Sequence, residues 1–268
     1  MKKKSLWIAM LLLSIGYGAV TGAQTIKVLT YNIYHGEEHY NNGKSNLEKI
    51  AAVINRYQPD FVAMQEVDSM TNRTASFNGG VKKDLVAELA KLTGMHGYFG
   101  KAMDYSDGGY GEGLLSKDAA TPVVYHLPTP AGGEGRALIA VEHQFANGKK
   151  MLFAGTHLCH EFETNRQAQA SAVTDILLSS KLPVVIGGDF NITPETKAYS
   201  IITGKLNDAA VLYGNPQLTF PYTKPRIRLD YIFLNKGDIW KVKKVEVINN
   251  EDASDHKPVL VTLELVKK

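Results

Sequence analysis

Short apolar runs recur along the chain, and most of them stop at a polar residue. Residues 24–33 alternate well enough to predict a first strand that ends at Asn32. Residues 61–66 read as a buried strand ending in the carboxylate of Glu66. Residues 137–145 and 151–157 flank Asn147-Gly148, the strongest hairpin signal in the sequence, and the second of them ends at His157. The run Pro183-Val184-Val185-Ile186 is β-branched and closed by Gly187-Gly188, so it predicts a buried strand that delivers Asp189 and Asn191 to its tip. Residues 229–235 open on Asp230, and 257–266 close the chain as a strand just after Asp255-His256. Helical spacing appears between these runs. Ser45-Asn46-Leu47-Glu48 has the form of a capping box, followed by Leu47, Ile50, Ala51, Ile54 and Tyr57 on one side and by Pro59 beyond the end. Residues 84–92 predict a second helix stopped by Gly94, and 164–180 a third, with Thr164 and Gln167 as its capping box. Thr193-Pro194 predicts a short helix with proline at its first position. Hairpins mixed with helices, without regular βαβ alternation, place the chain in the α+β class, with mostly antiparallel sheets and outer helices.

The first 23 residues follow a different rule. Three lysines at positions 2–4 precede an apolar stretch at 6–13, and small residues lead to a cut before Gln24. That is the pattern of a secretory signal peptide, with an apolar part too short to serve as a stable membrane span. The expected organisation is a signal peptide over 1–23 and one domain over 24–268, exported to a periplasmic or extracellular space. Removing 1–23 takes away three lysines and no acids, which leaves 27 basic and 27 acidic residues. A neutral chain lacks the general basic surface of a tight, non-specific nucleic-acid binder. Cys159 is the only cysteine, so no intrachain disulfide can form.

The polar tips are all metal-ligand or acid/base residue types. Asp189 and Asn191, two apart on an extended segment, can face one point, and such oxygen groups suit a hard cation, a phosphate or an attacking water. The segments Thr30-Tyr31-Asn32-Ile33, Gln65-Glu66-Val67, Gly155-Thr156-His157-Leu158, Gly188-Asp189-Phe190-Asn191, Leu229-Asp230-Tyr231-Ile232 and Ser254-Asp255-His256-Lys257-Pro258, in that order, resemble the endonuclease/exonuclease/phosphatase family. The resemblance covers nearly all of 24–268. It implies a four-layer αββα sandwich with the site at one end of the sheets, and phosphoester hydrolysis dependent on Mg²⁺, with Mn²⁺ a possible substitute. It further implies Glu66 as the main metal ligand, with Asn32 and Asp255 near it. Asp189 and Asn191 would position or deprotonate the attacking water. His256, oriented by Asp230, would contact the scissile phosphate, and His157 would stabilise phosphoryl oxygens or protonate the leaving oxygen.

Other residues are candidates on the substrate side. Glu112 stands where the resemblance suggests a carboxylate that supports His157, or else an exposed loop acid. Arg136 and Arg228 could neutralise substrate phosphates or be plain surface arginines. Thr219-Phe220-Pro221 resembles a substrate-side loop or is an ordinary turn. Competing chemistries fit less well. Asp189-Phe190-Asn191 lacks the second aspartate of a dehalogenase-type phosphatase loop. Cys159 adjoins His160, and adjacent residues on a strand point to opposite faces, so it reads as a small packing residue. His157-Leu158-Cys159-His160-Glu161 lacks the zinc-protease spacing. A non-catalytic binding module on the same scaffold would show decayed tips, which these are not. The expected partner is a phosphoester that is small, lipid-linked or part of a nucleic acid. The lean is to a phosphodiesterase or phosphatase with a small or lipid-linked substrate, with nuclease the alternative. Residues 101–111 and 121–135 are read as the loops that discriminate substrates.

Overall fold

In the computed structural model, residues 24–249 and 253–266 are described, so the signal-peptide pattern at 1–23 lies outside them. In chain order the strands are β1 (Gln24–Asn32), β2 (Phe61–Ser69), β3 (His96–Tyr105), β4 (Gly108–Ser116), β5 (Pro122–Leu127) and β6 (Arg136–Gln144). They continue as β7 (Lys150–His157), β8 (Val184–Asp189), β9 (Leu206–Asp208), β10 (Asp230–Asn235), β11 (Trp240–Val247) and β12 (Val259–Leu265). The helices are α1 (Leu47–Tyr57), α2 (Asn72–Ser76), α3 (Leu85–Thr93), α4 (Glu163–Ser179), α5 (Lys197–Lys205) and α6 (Ala209–Tyr213). None is long and apolar enough to cross a membrane.

The strands form two six-stranded sheets, in the orders β11-β12-β1-β2-β4-β3 and β5-β6-β7-β8-β10-β9. Each sheet is antiparallel except for one pair: β1 with β2 in the first, β7 with β8 in the second. Those two parallel pairs are the ones joined by a helical crossover, α1 and α4, because a parallel return needs one. Alternating residues of the strands then supply three apolar layers. Val28, Ala63, Leu114, Phe153, Val185 and Ile232 pack between the sheets. Leu29, Val62 and Met64 turn outward onto Ile50, Val53 and Ile54 of α1 and Leu85 and Leu89 of α3. Ala154, Ile186 and Phe233 turn outward onto Val173 and Leu177 of α4 and Ile202 of α5. The result is the αββα sandwich that the family resemblance implies.

Several local expectations change. Neither capping box forms. Asn46 caps α1 by backbone alone, and its buried amide instead donates to the carbonyls of Ile33, Glu37 and Ala253. Phe162 precedes α4 without a side-chain cap. Pro194 lies in a turn, and α5 starts at Lys197, capped by Thr196. Residues 101–111 are largely strands β3 and β4, not a loop, whereas 121–135 is strand only over β5 and stays turn and loop over 128–135. The glycine of β4 at Gly111 is a packing requirement: a Cβ there would stand 2.1 Å from the carbonyl oxygen of Gly100 on β3.

Candidate functional site

Both parallel pairs point their carboxyl ends the same way, so four strand ends meet at one end of the sandwich. Asn32 ends β1, His157 ends β7 and Asp189 ends β8. Glu66 stands at a bulge in β2, between Met64 and Val67, with φ of 56°. A bulge breaks the strand pairing and re-aims the side chain, which is how a mid-strand glutamate reaches this rim. The register of the second sheet sets His157, Asp189 and Asp230 in one row across β7, β8 and β10. Asp255 and His256 arrive from the turn before β12. Close packing of the sheets brings the two sides together: a Cβ on Gly187 would lie 3.0 Å from the Thr30 Cβ, and one on Gly155 would lie 2.8 Å from Leu114.

Asn32 joins the sheets directly. Its Nδ2 donates to Glu66 Oε1 at 3.0 Å and to Asp189 Oδ2 at 3.1 Å. Its Oδ1 accepts the backbone N–H of Tyr34 at 3.1 Å, which fixes the orientation of the amide. Asn32 is thus a donor that spaces two carboxylates, and its oxygen is turned toward backbone. On the other side His256 Nδ1 lies 2.9 Å from Asp230 Oδ2, and its Nε2 is 3.6 Å from Asp189 Oδ2. Thr219 is buried behind the cleft, where its Oγ1 accepts the backbone N–H groups of Leu229 and Asp230 and so fixes Asp230 from below. It does not face the cleft as a substrate contact; its neighbour Phe220 does, with its ring 4.6 Å from that of His256.

Asn191, held at φ of 49°, donates from Nδ2 to the Leu158 carbonyl and lies 3.0 Å from His157 Nε2. The carbonyl can only accept, so Nδ2 is the atom on that side, and His157 Nε2 must accept from it. The His157 ring is therefore neutral, with its proton on Nδ1. Its burial, and then the charge of Arg136, hold its pKa well below the usual 6.5. The expected partnership of Glu112 with the His157 ring is not formed. Glu112 is buried, its carboxyl takes the backbone N–H groups of Ala137 and His157, and both its Oε2 and His157 Nδ1 lack hydrogen-bond partners. Burial raises the Glu112 carboxyl to about 8, so it is neutral at pH 7.

The remaining charges are sorted by neighbours. Burial works against charge on His256, yet the carboxylates of Asp230 and then Asp189 raise it to about 10. Burial raises Asp189, with Asp230 adding to the effect and His256 opposing it. Burial would also raise Glu66, but the His35 imidazole and the Asn32 amide help to hold it down at about 2. Burial followed by the charge of Glu66 raises Asp255, with His256 opposing. At neutral pH the site therefore presents an imidazolium at His256, a carboxylate at Glu66 and a neutral imidazole at His157.

A cleft of ≈ 400 Å³ opens above these groups. Arg136 lines it although only 1% of its surface is exposed, so it is not a surface arginine. Its Nη2 meets Glu134 at 2.9 Å and His160 Nδ1 at 3.1 Å, while Nε and Nη1 are buried without partners. Arg228 is not a surface arginine either, and the structure does not bring it to the cleft: it is buried in an ion pair with Asp208 at 2.6 Å and lies over the Tyr231 ring. Sequence reasoning missed Arg73 and His35 and covered Tyr105 and Tyr110 only as part of 101–111; all four line the cleft. Arg73 is held by both oxygens of Asp68 and lies over Tyr105. Nothing in its sequence context marks it, whereas His35 follows a polar tip by three residues. Cys159 is buried beside α4, where Phe162 N–H reaches its sulfur.

Comparison with known proteins agrees with this geometry. The chain is 23% identical over 247 residues to YbhP of Escherichia coli (strain K12), a match covering 90% of this chain and 97% of that one. A crystal structure of an endonuclease/exonuclease/phosphatase family protein from Bacteroides thetaiotaomicron superposes with a TM-score of 0.76 at 18% identity, covering 92% of this chain and all of that one. The mannosyl-6-phosphatase of Bacteroides thetaiotaomicron VPI-5482 superposes with a TM-score of 0.73 at 19% identity, covering 89% of this chain and 99% of that one. The family model for the endonuclease/exonuclease/phosphatase family matches residues 29–256, which spans every strand-end residue of the cleft from Asn32 to His256, and the chain belongs to that family.

Proposed function

We propose that the protein is an exported, divalent-cation-dependent phosphoester hydrolase that acts on a small or lipid-linked substrate. The observation that carries this reading is the row of His157, Asp189 and Asp230 with His256 beside it, facing Glu66 and Asp255 across Asn32. Glu66 and Asp255 are close enough for the charge of one to raise the pKa of the other, and a divalent cation would relieve that repulsion. Two hard oxygen donors with room for waters fit a Mg²⁺-type ion, so Glu66 and Asp255 are the residues that would hold it. When bound, such a cation supplies Lewis-acid polarisation of a phosphoryl oxygen.

The chain's own groups divide the rest of the work. Asp189, with Oδ1 fixed by the Asn191 backbone N–H at 3.0 Å, positions and deprotonates the attacking water. His256, kept protonated by Asp230, stabilises negative charge on the phosphoryl oxygens. His157 cannot supply that charge or a proton from Nε2, because Nε2 already accepts from Asn191. The family-based assignment of those tasks to His157 therefore moves to His256. Arg136, which lines the cleft, brings guanidinium charge toward a phosphoryl oxygen bound there.

The cleft volume suits a compact ligand. A fold neighbour is a mannosyl-6-phosphatase, so phosphatase activity occurs on this scaffold. Export rests on the pattern at 1–23. The test is a phosphate-release screen of residues 24–268 with nucleic acid, phospholipid head groups, sugar phosphates and inositol phosphates, with Asp189→Asn and Glu66→Ala as controls. Both variants are expected to lose at least a hundredfold in kcat while keeping the wild-type circular dichroism spectrum. Equal activity of wild type and both variants in chelator would refute the metal-dependent hydrolase reading. Salt-sensitive cleavage of plain duplex DNA would refute the small substrate.

A further inference from the structure

One wall of the cleft continues into an apolar surface that faces water. Phe220 and Leu229 line the cleft, and the segment that carries them, 209–229, contains no acidic residue. On its outer side Val211, Leu212 and Tyr213 of α6 are exposed, and so are Leu218 and Ile227. Leu212 and Leu218 are 53% and 47% exposed, so each leaves about half of its surface in water. Single surface leucines are ordinary, but a cluster of large apolar side chains in water, rimmed by polar groups, marks an interaction surface.

Backbone hydrogen bonds join these pieces and tie them to the site. Helix α6 packs against β10 and β11, at the open edge of the sandwich. Asn215 N–H donates to the Ala210 carbonyl at 3.0 Å, which turns the chain back on α6. The N–H groups of Thr219 and Phe220 both donate to the Ile227 carbonyl at 3.0 Å, so Leu218 and Ile227 sit on the two limbs of one narrow loop. Lys257 N–H donates to the Thr219 carbonyl at 2.9 Å, and Tyr222 N–H to the Asp255 carbonyl at 2.6 Å. The loop is thereby fixed to the turn that bears Asp255 and His256.

Charge selects the occupant. Lys224 and Arg226, in the same loop, are exposed, and among the described residues neither has an ion-pair partner. Such side chains lay their stems along an apolar surface and keep their charge at the level of lipid phosphates. A second copy docked patch to patch would set these like charges face to face, with no acid in the segment to answer them. We infer that the α6 turn and the 218–227 loop form a docking surface for an anionic lipid bilayer, which sets the Phe220 wall of the cleft at the level of the head groups. The inference rests on the lipid-linked branch of the reading above and deepens it. A phosphoester presented at the bilayer surface then meets His256 without leaving the head-group layer.

The test measures cosedimentation of residues 24–268 with phosphatidylcholine vesicles and with equimolar phosphatidylcholine/phosphatidylglycerol vesicles, in chelator so that binding is read apart from hydrolysis. The expected result is at least tenfold stronger partitioning onto the anionic vesicles, weakened by added salt. Leu212→Asp combined with Leu218→Asp should abolish that partitioning. Lys224→Gln combined with Arg226→Gln should lower it at least tenfold, with folding of all variants checked by circular dichroism. Absence of partitioning, or partitioning that survives both pairs of substitutions, overturns the docking surface and leaves the hydrolase reading standing. A concentration-dependent dimer in light scattering, lost in Leu212→Asp with Leu218→Asp, assigns the surface to a second copy and overturns the inference too. Full phosphate release in chelator, with vesicle binding intact, overturns the metal-dependent hydrolase reading alone.

Discussion

Replacing Asp230 by Asn removes a charge from the centre of the site while keeping its shape. Asp230 Oδ2 lies 2.9 Å from His256 Nδ1, and both groups are buried. The rise of His256 from 6.5 to about 10 corresponds to roughly 5 kcal/mol in favour of the charged ring. Asp230 is the largest attractive contributor and Asp189 the second. An opposite charge at this range shifts a pKa by about 1–3 units, so Asp230→Asn should lower the His256 pKa by about 2 and remove roughly 3 kcal/mol of that preference. The sign for stability follows from linkage. A raised histidine contributes fully below its unfolded value of about 6.5, and the contribution disappears as pH rises through about 10. Wild type should therefore exceed Asp230→Asn in unfolding free energy at pH 6, and the gap should close above pH 10. The assay is a histidine-ring NMR titration of metal-free protein, paired with urea unfolding at both pH values. A His256 pKa that is the same in both proteins, or near 6.5 in the wild type, would refute the assignment of His256 as the imidazolium.

Three further outcomes follow from other parts of the structure. Arg228→Met should lower stability by about 3–5 kcal/mol in chemical denaturation, because it strands Asp208 as an unpaired buried charge; a change in KM would show that Arg228 reaches substrate after all. Arg136→Gln should raise KM at least tenfold, and Arg136→Lys should recover little of it, since a lysine cannot reproduce the planar fork; full recovery by lysine would argue for charge alone. Gly187→Val should cost about 1–3 kcal/mol in thermal or urea unfolding by wedging the sheets apart at Thr30. Retention of wild-type kcat in that variant would show that the close approach of the sheets is not what sets the spacing of Asn32 and Asp189.

The strand ends were legible because the polar residues of the cleft terminate or open apolar runs, and the runs at Val184–Asp189 and Asp230–Asn235 are buried along almost their whole length. The strands that escaped are those whose pattern is set by neighbours. Strand β5 is an edge strand exposed at five of its six residues, so it has no apolar face to announce it. Strand β4 carries glycines, which read as loop, because the approach of β3 leaves no space for a side chain at Gly111. Arg228 and Arg136 look alike in sequence, yet one pairs with Asp208 behind the sheet and the other lines the cleft, a difference fixed only by tertiary partners. Asn46 resembles a helix cap for the same reason: three carbonyls from distant segments claim its amide.

The order of strands in the first sheet bears on when the protein becomes functional during synthesis. Strand β12 sits between β11 and β1, and pairs Gln24 with Leu265, close to the two ends of the described chain. The sheet is incomplete until that last strand inserts, and His256 enters the site with it. Contacts of such long sequence separation form slowly and leave β1 with an open edge in the meantime. A nascent or C-terminally truncated chain should hold Glu66, His157 and Asp189 without hydrolytic competence. Refolding followed by activity should lag refolding followed by helix signal, with the docking of β12 as the step that closes the interval.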